Sequence, residues 1–153
     1  MKRIVLVTLA VALMAGSAFG QGFGVRAGVS IDPDQFHFGG HYDVGAIATN
    51  LRLVPNIEIG LGNDVTLICL NGDLLYDFPD TPWSVGGELG VNIAKFDVPD
   101  VPGIDIDDSD TNIGLSAVGD YRLTLNSGKT LLLEAKLGIS DSPDFKFTVG
   151  WKF

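Results

Sequence analysis

The chain has 153 residues, enough for one domain, and carries 19 acidic against 10 basic side chains, a formal net charge of −9. That balance argues against nucleic acid as a partner, because phosphate binding needs a basic stripe. Twenty glycines and seven prolines, with 46% hydrophobic and 19% charged residues, describe a turn-rich β protein rather than a helical or disordered one.

Residues 1–20 read as a removable export signal. Met1-Lys2-Arg3 supplies the positive end, residues 4–15 the short apolar stretch, and Ala18-Phe19-Gly20 a small-x-small cleavage site before Gln21. The stretch is too short for a membrane anchor, and nothing after it approaches the roughly 18 apolar residues of a spanning helix. Residues 21–153 then form the mature domain, whose charge becomes −11 once Lys2 and Arg3 are lost. No cysteine follows the cleavage site, so a lipid-modified N-terminus is not expected. Cys69 is the only cysteine, which leaves no intramolecular disulfide and reads as a small buried apolar side chain.

Breaks rich in polar residues, Gly or Pro fall at 32–35, 48–50, 62–64, 79–82, 97–111, 124–129 and 140–143. They leave eight segments: 22–31, 36–47, 51–61, 65–78, 83–96, 112–123, 130–139 and 144–153. At about 17 residues per unit, each fits a membrane-barrel strand of roughly ten residues and its connection. Side chains alternate within each segment, as strands require. One face carries, in chain order, Val25, Ala27 and Val29, then Phe36 and Phe38, Ile57 and Ile59, Leu74 and Tyr76. It continues through Val85, Leu89 and Val91, then Ile113 and Leu115, Leu133 and Leu137, Phe147, Val149 and Trp151. The other face carries Arg26, Asp43, Arg52, Glu58, Asp73, Asp77, Glu88, Asp120, Arg122, Glu134, Lys136, Lys146 and Lys152. Residues 65–70 are apolar at both parities.

A soluble barrel turns its apolar face inward and a membrane barrel turns it outward. Three features place the charged face inside. Glycine is concentrated on that face, and an eight-stranded lumen is barely wide enough for its own side chains. Aromatics on the apolar face cluster at strand ends, as two interfacial girdles require, with Tyr42 and Phe96 outside the pattern. The thirteen inner charges, six positive and seven negative, suit a paired polar lumen.

The leader, the eight alternating strands and the closing run Phe145-Lys146-Phe147-Thr148-Val149-Gly150-Trp151-Lys152-Phe153 together resemble the small eight-stranded outer-membrane barrels of the OmpA, OmpX and OmpW type. The resemblance covers residues 21–153. It implies an all-β, eight-stranded antiparallel up-and-down transmembrane barrel in the bacterial outer membrane. In that family an aromatic C-terminal strand ending in Phe is read by the outer-membrane assembly machinery, which assigns that role to Phe147, Trp151 and Phe153. No peptidoglycan-binding domain of the OmpA kind is expected after the barrel.

With the N-terminus in the periplasm, the outward loops are 32–35, 62–64, 97–111 and 140–143, and only the third is long enough to form a surface. Its Asp105, Asp107, Asp108 and Asp110 offer the carboxylate oxygens that hard cations prefer. The segment lacks a calcium loop's sixth-position glycine and has Ser116 where the twelfth-position glutamate belongs. A solvated acidic loop, or weak divalent association at the lipopolysaccharide surface, fits it better than a specific calcium site. His37, His41 and Asp43 share one strand face, where neighbours two apart lie about 7 Å from each other and those four apart about 13 Å, so the histidines do not chelate one ion alone. Ser30 and Ser116 are lumenal hydroxyls, but nothing in the sequence ties them to the histidines as a nucleophile and base. The Gly-rich runs 22–24 and 86–90 lack both phosphate-loop spacing and a following helix.

The expected function is therefore non-enzymatic, without a cofactor: a monomeric barrel with a structural or surface-interaction role, its partners outer-membrane lipids and lipopolysaccharide. Its lumen is expected to hold a polar network of Arg26, Asp43, Glu58, Glu88, Arg122, Glu134 and Lys136. The likeness to OmpW supplies an alternative, a narrow channel or side-wall path for small apolar solutes. A soluble periplasmic ligand-binding barrel is a third.

Overall fold

The protein is represented by a computed structural model that describes residues 22–63, 65–96 and 109–153. The leader at 1–20 and the acidic residues Asp105, Asp107 and Asp108 lie outside the described residues. Nine strands follow one another: β1 (Phe23–Ile31), β2 (Gln35–Tyr42), β3 (Gly45–Ala48), β4 (Leu51–Leu61), β5 (Val65–Asp77), β6 (Trp83–Phe96), β7 (Ser109–Thr124), β8 (Thr130–Ser140) and β9 (Phe145–Lys152). All neighbours pair antiparallel, and β1 meets both β2 and β9 while β2 meets β4, so the sheet closes on itself. β2 and β3 are two halves of one barrel strand, since both lie along β4, and the barrel accordingly has eight. Closure satisfies the backbone of every strand and leaves no long open edge.

The interruption in the second strand is a bulge that the alternation did not reveal. Between the pairs His41 with Asn56 and Gly45 with Leu53, one strand spends Tyr42, Asp43 and Val44 where β4 spends Val54 and Pro55. Pro55 has no N–H to donate, which weakens the ladder at that point. The chain turns away instead: the Asp43 N–H donates to the Gly22 carbonyl at 2.7 Å, and Gly45 takes a φ of +87°, a region that favours glycine. β7 also begins three residues earlier than the expected segment, because Ser109, Asp110 and Thr111 pair with Lys95, Ala94 and Ile93. Asp110 is thus a strand residue.

One end of the barrel, the terminal end, holds both ends of the described chain and the connections at 49–50, 78–82 and 125–129. The far end holds those at 32–34 and 141–144, together with the strand ends Leu61, Val65, Phe96 and Ser109. Polarity is inverted relative to a soluble barrel: Leu89 and Ile113 on the wall are 61% and 68% exposed, whereas Asp73 and Lys136 inside are 0% and 1% exposed. The strand register also sorts residues 65–70. Ile68 pairs with Ile59 and Ile93 on the wall, and Cys69 pairs with Glu58 and Asn92 and is buried.

Aromatic rings ring both ends. At the terminal end Trp83 meets Tyr121 edge-on at 4.7 Å and Tyr76 meets Phe78 at 5.5 Å; at the far end Phe36 and Phe38 lie 6.4 Å apart. Tyr42 joins the terminal-end girdle, because the bulge ends β2 there, in register with Phe23. On the inner face the strands approach so closely that a Cβ on Gly39 would collide with the Ile57 carbonyl, which is why glycine concentrates inside.

Candidate functional site

Charged side chains reach the lumen from every barrel strand, and the structure sorts them into two storeys. The central storey is built around Arg26 from β1 and Lys136 from β8. Arg26 pairs with Glu134 at 2.5 Å, with Glu58 at 3.4 Å and with Asp73 at 3.6 Å. Lys136 pairs with Asp73 at 3.1 Å, with Glu134 at 3.2 Å and with Glu88, while Lys146 from β9 donates to Glu58. Asn56 donates to Asp73 at 3.1 Å and accepts from Asn71 at 3.0 Å, extending the network across β4 and β5. Three cations thus face four carboxylates, all buried.

The second storey lies at the terminal end. Arg52 from β4 donates to Asp120 at 2.8 Å and lies 3.3 Å from Asp77 and 3.7 Å from Asp43. Arg122 holds Asp77 at 3.0 Å, Lys152 holds Asp43 at 3.0 Å, and Ser84 donates to Asp77 at 2.6 Å. Charge balances here, three against three.

Between the storeys runs an apolar layer. Val54, Leu75 and Val118 form a buried cluster, and each stands on its strand between a residue of the central storey or its margin and one of the terminal storey. Leu132 extends the layer on β8, between Glu134 of the central storey and the buried Thr130, and is also buried. The remaining side is filled by the His41 imidazole. It lies against Gly24, whose added Cβ would strike the ring, and beside Gly150, the residue over which it and Leu132 meet. His41 is 2% exposed and neither ring nitrogen has a hydrogen-bond partner, so the ring serves the layer as a flat filler.

Towards the far end His37 Nε2 lies 2.9 Å from Thr148 Oγ1, Gln35 donates to the Val65 carbonyl at 3.0 Å, and Ser30 donates to the Pro33 carbonyl at 3.1 Å. An enclosed space of about 10 Å³ beside Ser30, His37, Glu58 and Lys146 is the size of one water. Among the described residues neither histidine hydrogen-bonds to a serine or a carboxylate, and no three His, Cys, Asp or Glu side chains are arranged to hold a metal ion. Asp110 stands exposed at the far rim and accepts from Asn112 at 2.8 Å.

Of the seven residues expected in a lumenal network, Arg26, Glu58, Glu88, Glu134 and Lys136 meet in the central storey, while Asp43 and Arg122 belong to the terminal one. Arg122 therefore partners Asp77, a pairing set by strand stagger that parity does not carry. Asn56, Asn71 and Thr148 join the lumen's hydrogen bonds without a sequence signal, because neutral polar side chains do not mark a paired interior as charges do. The apolar layer was legible in principle, since Val54, Leu75, Val118 and Leu132 occupy the charged parity. At the opposite surface Phe147 and Trp151 face outward on β9, and the Phe153 ring stacks on Phe23 at 6.3 Å.

No protein-family model matches the chain, and no curated protein sequence does. Among solved structures it is similar to the Yersinia pestis outer membrane protein Ail in a phospholipid bilayer nanodisc, with a TM-score of 0.55 and 10% identity over 88% of this chain and 99% of that one. The outer membrane enzyme PagL aligns at a TM-score of 0.42, with 14% identity over 85% of this chain and 98% of that one. The N-terminal β-barrel domain of Pseudomonas aeruginosa OprF aligns at 0.44, with 12% identity over 87% and 96%. At these identities only the likeness to Ail bears on the architecture, and it concerns the fold alone: this chain shares the barrel fold of Ail.

Proposed function

We propose that the protein is a non-enzymatic bacterial outer-membrane barrel with a closed lumen, exported with its leader removed, that serves a structural or surface-interaction role. The observation that carries the reading is the pairing of an apolar outer wall with a lumen filled by two ion-pair storeys and an apolar layer. Such a wall is stable only where lipid covers it, and such a lumen leaves no continuous water path. The terminal end then faces the periplasm and the far end the exterior. Asp32, Asp34, Asp110, Asp141 and Asp144 lie at the far end, an acidic rim that would meet lipopolysaccharide phosphates through bridging divalent cations.

The non-enzymatic reading draws support from the histidines: His37 is engaged with Thr148 and His41 fills the apolar layer, so neither is poised as a base beside an accessible nucleophile. Side-wall passage of small apolar solutes has one observation in its favour, an outer hollow of about 260 Å³ at the bulge, bounded by Gly40, Tyr42, Pro55 and Ile57. Its inner boundary is His41 and Asn56, beyond which lie packed charges, a poor exit for an apolar solute. Against a soluble barrel stands the exposed apolar wall.

The test is electrical. Purified protein inserted in planar bilayers should show no large steady conductance, and cell fractionation should place it in a detergent-extractable outer-membrane fraction. A steady porin-like current would overturn the closed-lumen reading and promote the channel alternative.

A further inference from the structure

The wall is not uniformly ridged. Over β1 and β9 it sinks into a groove of about 390 Å³, with Val25, Ala27 and Val149 as its floor, Phe38 on one flank and Leu131 and Trp151 on the other. The floor is low because Ala27, paired with both Phe38 and Val149, has only a methyl group to present. The groove therefore offers an apolar surface between two aromatic rings, Phe38 and Trp151.

Its terminal end is marked by a cation. Lys129, in the connection between β7 and β8, holds its Nζ 5.8 Å from the Trp151 ring centroid and 5.9 Å from that of Phe153. Among the described residues no carboxylate lies within ion-pair distance of it, in contrast to all the lumenal lysines. A lysine stem lying along apolar rings with its head at the rim is the posture of a side chain that meets charge at a membrane interface.

We infer that this face is a binding site for one anionic glycerophospholipid of the inner leaflet, its phosphate at Lys129 and one acyl chain in the groove across Ala27. The inference rests on the outer-membrane reading. Charge complementarity selects the headgroup, since Lys129 is an unneutralised cation at the level where headgroups lie, and the apolar groove that runs from it selects the chain.

The test uses the full mature chain with Trp83→Phe, which leaves Trp151 as its one tryptophan. The protein is reconstituted in vesicles of phosphatidylcholine mixed with either phosphatidylglycerol or phosphatidylethanolamine, the second lipid brominated on its acyl chains, and Trp151 quenching is read. Brominated phosphatidylglycerol should be enriched at Trp151 about fivefold over its zwitterionic counterpart, the preference one surface cation confers. Lys129→Gln should abolish the preference while general quenching persists, and Ala27→Leu, which fills the floor, should reduce it with Lys129 intact. Equal quenching by the two lipids in the parent protein, or a preference that survives Lys129→Gln, overturns the site and leaves the membrane reading standing. A preference unchanged by Ala27→Leu overturns the placement of the chain. No quenching by either lipid refutes the membrane reading itself.

Discussion

Charge counting in the central storey makes a directional prediction about Lys136. Three cations, Arg26, Lys136 and Lys146, face Glu58, Asp73, Glu88 and Glu134, so the cluster already carries one excess negative charge. Lys136→Met leaves two cations against four carboxylates. Glu88 loses its one ion-pair partner among the described residues, and Asp73 and Glu134 are left to share Arg26. Breaking a buried pair from one side costs about 3–5 kcal/mol, because the remaining charge stays buried without compensation. Asp73→Asn removes a carboxylate instead and brings the count to three against three, so it should cost only about 1 kcal/mol, near the net worth of a hydrogen bond. Combined with Lys136→Met it should recover part of the larger loss, a coupling that independent sites would not show. Lys152→Met is the reference: its side chain is 23% exposed and its pair with Asp43 lies at the rim, worth about 0–1 kcal/mol. The assay is urea unfolding of protein refolded into phospholipid vesicles, followed by tryptophan fluorescence, with stabilities compared at constant slope. If Lys136→Met lost no more than Lys152→Met, or Asp73→Asn more than Lys136→Met, the charge-count account of the lumen would be refuted.

Two further outcomes are expected. Leu89→Arg, at the middle of β6 on the outer wall, should cost about 2–4 kcal/mol in a bilayer while Leu61→Arg, at the far rim, should cost about 0–1, and equal costs would mean that lipid does not cover the wall as proposed. Deleting Phe153, which stacks on Phe23 beside the start of β1, should lower the yield of folded barrel in the outer membrane without reducing export, and unchanged yield would separate the closing strand from any assembly signal.

Periodicity carried the fold because barrel strands are long and one face of each must be apolar throughout. The parity of Arg26, Glu58, Glu88, Glu134 and Lys136 was enough to set them inside, and eight segments of matching length were enough to count the strands. Two things were not legible. The bulge at Tyr42–Val44 depends on Pro55, thirteen residues after Tyr42 and on the next strand, so no local pattern announces it. Partnership inside the lumen depends on stagger: Arg122 and Glu134 share the inner face of adjacent strands, yet Arg122 sits one level nearer the terminal end and meets Asp77 instead.

Stagger also decides why the lumen is divided. Inner positions recur every second residue, so each strand offers the interior one side chain per level. On β4, β5 and β7 the level between the two charged storeys is given to Val54, Leu75 and Val118, and on β8 to Leu132. An apolar layer of this kind keeps Arg52 from competing for Asp73 and Lys136 from reaching Asp77, so each cation has one set of partners. Without it, thirteen charges in one narrow lumen would have many pairings of similar energy, and a single packed interior would be harder to specify. The arrangement gives the layer a job separate from blocking water: it fixes which carboxylates each cation meets, and through them which strands are tied together across the barrel.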